Sequence, residues 1–165
     1  MDKKVIIYTD GACSDNPGPG GWGIIFLLND DCTEKSGHEI KTTNNRMELM
    51  AIVEALKTIV NEIYPTTHCR EYELYSDSAY VVNSVNGGWI NRWLLNGWKT
   101  TRGEDIKNKD LWKEYIHYID ECIRKGIFIK VIKIKGHSGN AFNEHVDKLA
   151  KDEVLLARKE VSTNE

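Results

Sequence analysis

Apolar and polar positions alternate in two different ways along this chain, and the change falls near residue 44. Before it, residues 4–10 carry the run Val5-Ile6-Ile7-Tyr8-Thr9, which reads as a buried strand. Residues 22–28 read as a second strand and about 32–42 as a third, with Asn29-Asp30-Asp31 as the hairpin turn. From Asn44 onward, Leu49, Ile52, Val53, Leu56, Ile59, Val60 and Ile63 recur at helical spacing, predicting a helix that ends before Pro65. A fourth strand is expected at about 71–76, followed by a short helix from Ser78; residues 87–107 look irregular. Trp112, Tyr115, Ile116, Ile119, Cys122 and Ile123 mark one face of a further helix. Residues 127–134 form the fifth expected strand, 142–158 the last helix, and 161–165 a polar tail that frays.

Three hairpin-linked strands followed by alternating helix and strand predict an α/β fold: a mixed five-stranded sheet, antiparallel first and then parallel, flanked by helices. Sites in such sheets form beyond the carboxyl ends of adjacent strands. Asp10 and Asp77 each end a strand-like run. Glu48 and Asp147 lie in amphipathic helices beside Met47, Leu49, Val146 and Leu149. A carboxylate at the edge of a core is costly without a partner. Four that converge repel one another unless cations neutralise them, and hard oxygen ligands suit Mg²⁺ or Mn²⁺ rather than zinc. The pattern points to metal-dependent phosphoryl transfer.

Composition narrows the setting but not the chemistry. At 165 residues the chain is expected to form one domain over 1–160, large enough to bury about 68–70% of its unfolded surface without disulfides. With 22 Lys and Arg against 25 Asp and Glu the net charge is −3, which neither favours nor excludes a nucleic-acid partner. Cys13, Cys32, Cys69 and Cys122 lack C-x-x-C spacing, so reduced thiols are expected. The N-terminal apolar run is too short for a signal peptide or a spanning helix, and the expectation is a soluble, cytoplasmic, free-standing monomer.

Two motifs need weighing. Gly18-Pro19-Gly20-Gly21-Trp22-Gly23 matches G-x-G-x-x-G, but a dinucleotide site requires a helix next, and Ile24-Ile25-Phe26-Leu27-Leu28 reads as a strand; a tight turn is the better account. Thr42-Thr43-Asn44-Asn45-Arg46-Met47-Glu48 is the densest polar cluster. A helix cap explains one of these residues, whereas amides and hydroxyls at a helix N-terminus can also hold phosphate and sugar oxygens.

These segments together carry a resemblance. Tyr8-Thr9-Asp10-Gly11-Ala12-Cys13 with Asn16-Pro17-Gly18, the run TTNNRMEL around Glu48, Ser76-Asp77-Ser78, and Lys135-Gly136-His137-Ser138-Gly139 leading to Asp147 resemble ribonuclease H type 1, in order and over nearly the whole chain. The resemblance implies a ribonuclease H-like fold and an endoribonuclease that cuts the RNA strand of RNA/DNA hybrids, leaving 5′-phosphate and 3′-hydroxyl ends. It maps the family's catalytic carboxylates onto Asp10, Glu48, Asp77 and Asp147, holding two Mg²⁺ ions, with Mn²⁺ able to substitute. It implies that His137, in a Gly-flanked loop, assists proton transfer or product departure.

By the same resemblance Gly11, Cys13, Asn16, Asn44 and Glu48 meet the RNA strand. Thr43 and Asn108, with Lys41 or Arg46 nearby, grip a DNA phosphate, and Asn45 lies between the two surfaces. Trp89, Trp93 and Trp98 with Lys99 match a protruding handle that leans on the DNA, although at least one Trp is expected to pack in the core. The chain departs from more basic members at Leu94-Leu95-Asn96 and Gly103-Glu104-Asp105, and carries Ala79 where many have Gln. Integrases and junction resolvases, which share the acidic core, and a non-catalytic hybrid-binding domain are the competing readings. The TTNNRMEL run weighs against the former and the intact carboxylates against the latter.

Overall fold

A computed structural model describes residues 4–136 and 139–163. Its centre is a five-stranded sheet in the order β3-β2-β1-β4-β5. The strands are β1 (Lys4–Cys13), β2 (Gly18–Leu28), β3 (Asp31–Thr42), β4 (Glu71–Ser76) and β5 (Phe128–Lys133). The first three pair antiparallel, while β1, β4 and β5 run parallel, as the pattern predicted.

The alternation of side chains along a strand explains the apolar runs. Val5, Ile7, Ile24 and Phe26 belong to a large core with helices α1 (Asn44–Thr58), α3 (Ala79–Asn86) and α5 (Lys109–Lys125). Ile6, Tyr8, Ile25 and Leu27 join a smaller core under α6 (Ala141–Thr163), where Val146 is buried. Because β1 and β2 are covered on both faces, neither shows a polar side. Close approach of α6 to the sheet needs Gly21, where a Cβ would stand 2.4 Å from the Ala150 carbonyl oxygen. The G-x-G-x-x-G stretch is therefore strand, with glycine serving helix packing and no helix following it.

Several boundaries differ from expectation. Strand β2 begins at Gly18 rather than Trp22, so the stretch expected as a tight turn is extended strand paired with β1 and β3. Strand β1 continues past Asp10 to Cys13, because Gly11, Ala12 and Cys13 pair with Trp22, Gly21 and Gly20. The helix after Asn44 does not stop before Pro65: it widens into a π-helical turn over Ile59–Ile63 and continues as α2 (Tyr64–Thr67). There the Tyr64 N–H donates to the Ile59 carbonyl, five residues back, and the wider turn accommodates a ring that would clash in a regular helix. Residues 87–107 contain a short helix, α4 (Trp89–Leu95), entered through Gly88 at φ +78°. Seven residues are too few for periodicity to reveal. Finally, α6 runs on to Thr163, five residues past its expected end at Arg158 and into the segment expected to fray. Among the described residues no helix is long and apolar enough to cross a membrane.

Candidate active site

Each acidic residue owes its position to a different element. Parallel pairing of β1 with β4 ends at Tyr8–Tyr75, so β1 reaches Asp10 with only β2 beside it, and the backbone opens a crevice. Asp77 follows the last residue of β4. Ser78 then caps α3, its hydroxyl accepting from the Val81 N–H at 3.2 Å. Glu48 is on the second turn of α1, whose start is set by Thr43: the Thr43 hydroxyl accepts from the Arg46 N–H at 3.2 Å. Gly11 lets α1 lie against β1, since a Cβ there would stand 2.3 Å from the Glu48 amide nitrogen.

Asp10, Glu48 and Asp77 each offer a carboxylate oxygen, and these atoms all lie within 4.8 Å of one another. Asp10 and Glu48 are buried and Asp77 half-buried. The Gly11 N–H donates to Asp10 Oδ1 at 2.9 Å, but Glu48 Oε2 is buried without a hydrogen-bond partner. Burial is the largest influence on Asp10, whose carboxyl is pushed up to about 7, and the neighbouring charge of Asp77 adds to it. Burial, then the charge of Asp10, holds Glu48 well above the usual carboxylate range. An orphaned buried oxygen and three crowded hard ligands fit a divalent cation, which would offset both desolvation and repulsion.

Asp147 lines the same cleft from α6 and lies close enough to Asp10 to push that carboxyl up further, without joining the group whose oxygens all lie within 4.8 Å of one another. It is half-buried and paired with Lys151 Nζ at 2.8 Å, one helical turn on. Sequence reading missed Lys151, although its i, i+4 spacing from an acidic residue was visible. His137 lies outside the described residues.

The expected substrate residues separate into groups. Gly11, Cys13, Asn44 and Asn45 line the cleft with the carboxylates. Asn16 joins them through its side-chain oxygen, which accepts from the Asn44 N–H at 2.9 Å. Thr43 and Asn108 are gathered beside Arg46. Asn108 Nδ2 donates to the Tyr80 hydroxyl at 3.1 Å, a group that also accepts from Trp112 Nε1 at 2.9 Å. Arg46 forms a two-pronged pair with Asp110, at 2.9 and 2.6 Å, and lies 3.6 Å from Glu39, so its charge is already matched within the protein. Neither Asp110 nor Tyr80 was singled out from the sequence, because nothing local marks them.

In the handle, Trp93 packs on buried Trp112 at a centroid distance of 5.4 Å and on Trp98 at 6.3 Å. Trp89 is exposed, with the Arg92 guanidinium 4.9 Å from its ring centre. Lys99 Nζ pairs with Asp105 at 2.7 Å, and Leu95 is 85% exposed.

Fold and site together define an α/β protein with a carboxylate-rich cleft suited to divalent metal. A family model described as RNase H matches residues 2–155. The chain is 47% identical to a ribonuclease H of Syntrophomonas wolfei over 152 residues, covering 92% of this chain and 97% of that one. It is 49% identical to a ribonuclease H of Acetivibrio thermocellus, covering 92% and 95%. Among solved structures, LC9-RNase H1, a type 1 RNase H with the type 2 active-site motif, superposes with a TM-score of 0.75 at 28% identity, covering 93% of this chain and 73% of that one. LC11-RNase H1, solved in complex with an RNA/DNA hybrid, shares the fold with a TM-score of 0.64 at 22% identity, over 93% of this chain and 98% of that one. The chain belongs to the RNase H family.

Proposed function

We propose that this protein is an endoribonuclease that hydrolyses the RNA strand of RNA/DNA hybrids, with Asp10, Glu48, Asp77 and Asp147 holding two Mg²⁺ ions, or Mn²⁺ in their place. The observation that carries the reading is the convergence of Asp10, Glu48 and Asp77 within 4.8 Å in a chain of this family. Divalent ions bound there supply an activated water and stabilisation of the leaving 3′ oxygen. The chain's own groups bind and orient. Asp10 would be the ligand best placed to be shared, being on the central strand and close to Glu48, Asp77 and Asp147. Lys151 pairs with Asp147 and orients its carboxylate at the cleft, where it would serve as a ligand. His137 moves a proton at the leaving group or hastens product departure.

Discrimination follows from what each strand displays. The 2′-hydroxyls of the RNA meet the backbone of Gly11 and Cys13 and the side chains of Asn16, Asn44 and Glu48, with Asn45 at the boundary between the strands. A DNA phosphate is taken by Thr43 and Asn108. Lys41 supplies charge there, while Arg46, tied to Asp110, acts as a brace. Trp89, Trp93 and Lys99 face the DNA along the handle. A single catalytic domain over 1–160 acts as a cytoplasmic monomer.

Cleavage of a labelled hybrid beside double-stranded RNA, double-stranded DNA and single-stranded RNA, with and without Mg²⁺, tests this reading. Metal-dependent cutting of the hybrid's RNA alone, with 5′-phosphate ends, is expected. Equal cutting of double-stranded DNA, or no cutting by pure protein, overturns it.

The handle bears on affinity. Its Lys99 is already paired, and Leu94 and Leu95 point to solvent. Hybrid binding is therefore expected to depend weakly on salt. Replacing Leu94, Leu95 and Asn96 by Lys, Lys and Arg should steepen the slope of log K against log salt by about 0.9 per phosphate engaged. Binding titrations in Ca²⁺ read this directly, and equal slopes for the two proteins would show that the handle does not meet DNA.

A further inference from the structure

The trio of Asp10, Glu48 and Asp77 is set by the sheet and by the contact of α1 with Gly11, but Asp147 depends on α6, which has no strand ladder to hold it. Three sets of contacts locate that helix among the described residues. On β3, His38 meets Glu153 and Glu160 at 2.7 and 2.8 Å, and Glu34 meets His145. Its middle is seated on β2 at Gly21, with Val146 in the small core. At its beginning, Phe142 and Asn140 reach β1 at Tyr8. The Phe142 ring lies 5.5 Å from the Tyr8 ring at 31°, and Asn140 Nδ2 donates to the Tyr8 hydroxyl at 3.4 Å. Asn140 Oδ1 meanwhile accepts from the Phe142 and Asn143 N–H groups, both at 3.0 Å, so the residue that reaches Tyr8 also caps the helix. Tyr8 in turn stacks on Tyr75, with centroids 5.1 Å apart and planes at 19°.

Each ring sits just upstream of an acidic residue on its own element. Tyr8 precedes Asp10 by two residues on the same strand face, Tyr75 precedes Asp77 by two, and Phe142 precedes Asp147 by five. Asp147 lies on α6 between Phe142, which meets Tyr8, and Ala150, which meets Gly21. Resting on the metal-site reading above, we infer that the Tyr8, Tyr75 and Phe142 rings form a positioning device that sets the place of Asp147 against Asp10 and Asp77, and hence the affinity of the site for a divalent cation. Phe142 is the positioning residue that can be probed: it is 42% exposed, so its removal leaves the core intact. The rings do not touch the reacting atoms; their effect passes through α6.

Calorimetric titration with Mn²⁺ alone, without substrate, separates this role from general stabilisation. Phe142→Ala is expected to weaken Mn²⁺ binding about tenfold, the size of effect seen when a group orienting a ligand is lost. It should lower kcat at sub-saturating metal while leaving the KM for hybrid unchanged. Phe142→Tyr, which keeps the ring, should restore both. Leu155→Ala removes a comparably exposed apolar side chain farther along α6 and should change neither. Wild-type Mn²⁺ affinity in Phe142→Ala overturns the inference whatever happens to Tm, as does failure of Phe142→Tyr to restore binding. A wild-type protein that binds no divalent ion overturns the metal reading itself, and this inference with it.

Discussion

Asp10→Asn is expected to lower cleavage of an RNA/DNA hybrid by about 10³-fold or more, and to leave a protein that is more stable than wild type when metal is absent. The first effect follows from deleting a metal ligand on the central strand, which removes several kcal/mol of transition-state stabilisation. The second follows from burial. The Asp10 carboxyl rises from an ordinary 3.8 to about 7 in the folded protein, so the fold holds that proton more tightly than the unfolded chain does. Below the unfolded value both states are protonated and no cost arises. As pH rises from about 4 to about 7 the unfolded chain ionises freely while the folded one resists, and the fold loses on the order of a few kcal/mol, fully so above 7. Asparagine carries no such cost. Denaturation curves of the metal-free proteins should therefore diverge across that window and coincide below it, with Mg²⁺ stabilising wild type far more than the variant. Near-normal cleavage by purified Asp10→Asn would remove Asp10 from the metal site. Parallel stability curves would show that its carboxylate is not desolvated.

Gly11→Ala should be the most damaging single-methyl change near the cleft. The added carbon would lie 2.3 Å from the Glu48 amide nitrogen and 2.4 Å from the Met47 carbonyl carbon, both backbone atoms that cannot rotate away. Either α1 withdraws from β1 or β1 bends. Overpacking of this kind costs about 1–3 kcal/mol, and a backbone clash belongs at the upper end or beyond. Because Glu48 moves with α1, a shift near 1 Å should also cost about 10²-fold in turnover. Urea unfolding and hybrid cleavage measure the two effects. Wild-type values for both would mean that α1 and β1 are not in the contact described.

Much of this molecule was legible in the chain because periodicity is a local property. The change from continuous apolar runs to helical spacing near Asn44 located the sheet's antiparallel half and α1. The four acidic residues were conspicuous because each sits beside apolar neighbours. Where reading failed, distant partners were the cause. Gly11-Ala12-Cys13 looks like the end of a strand, yet β2 supplies Trp22, Gly21 and Gly20 as partners and the strand goes on. Pro65 looks like a stop, yet a widened turn carries the helix past it. That at least one handle Trp would pack in the core was expected, but only the fold shows which: Trp93 packs on Trp112, Trp98 packs on Trp93, and Trp89 is left outside.

By itself, then, the sequence determined the order of the five strands and the main helices, and the family, and it singled out four acidic residues, since all of these reside in residue type and spacing along one dimension. Only the tertiary structure decided that Asp10, Glu48 and Asp77 crowd together, that Asp147 pairs with Lys151 at the same cleft, that Arg46 is neutralised by Asp110, and that Tyr8 links α6 to the strands bearing the site. Desolvation, charge and ring contact depend on distance through space, and residues far apart in the chain acquire that distance only when the sheet and helices close around them.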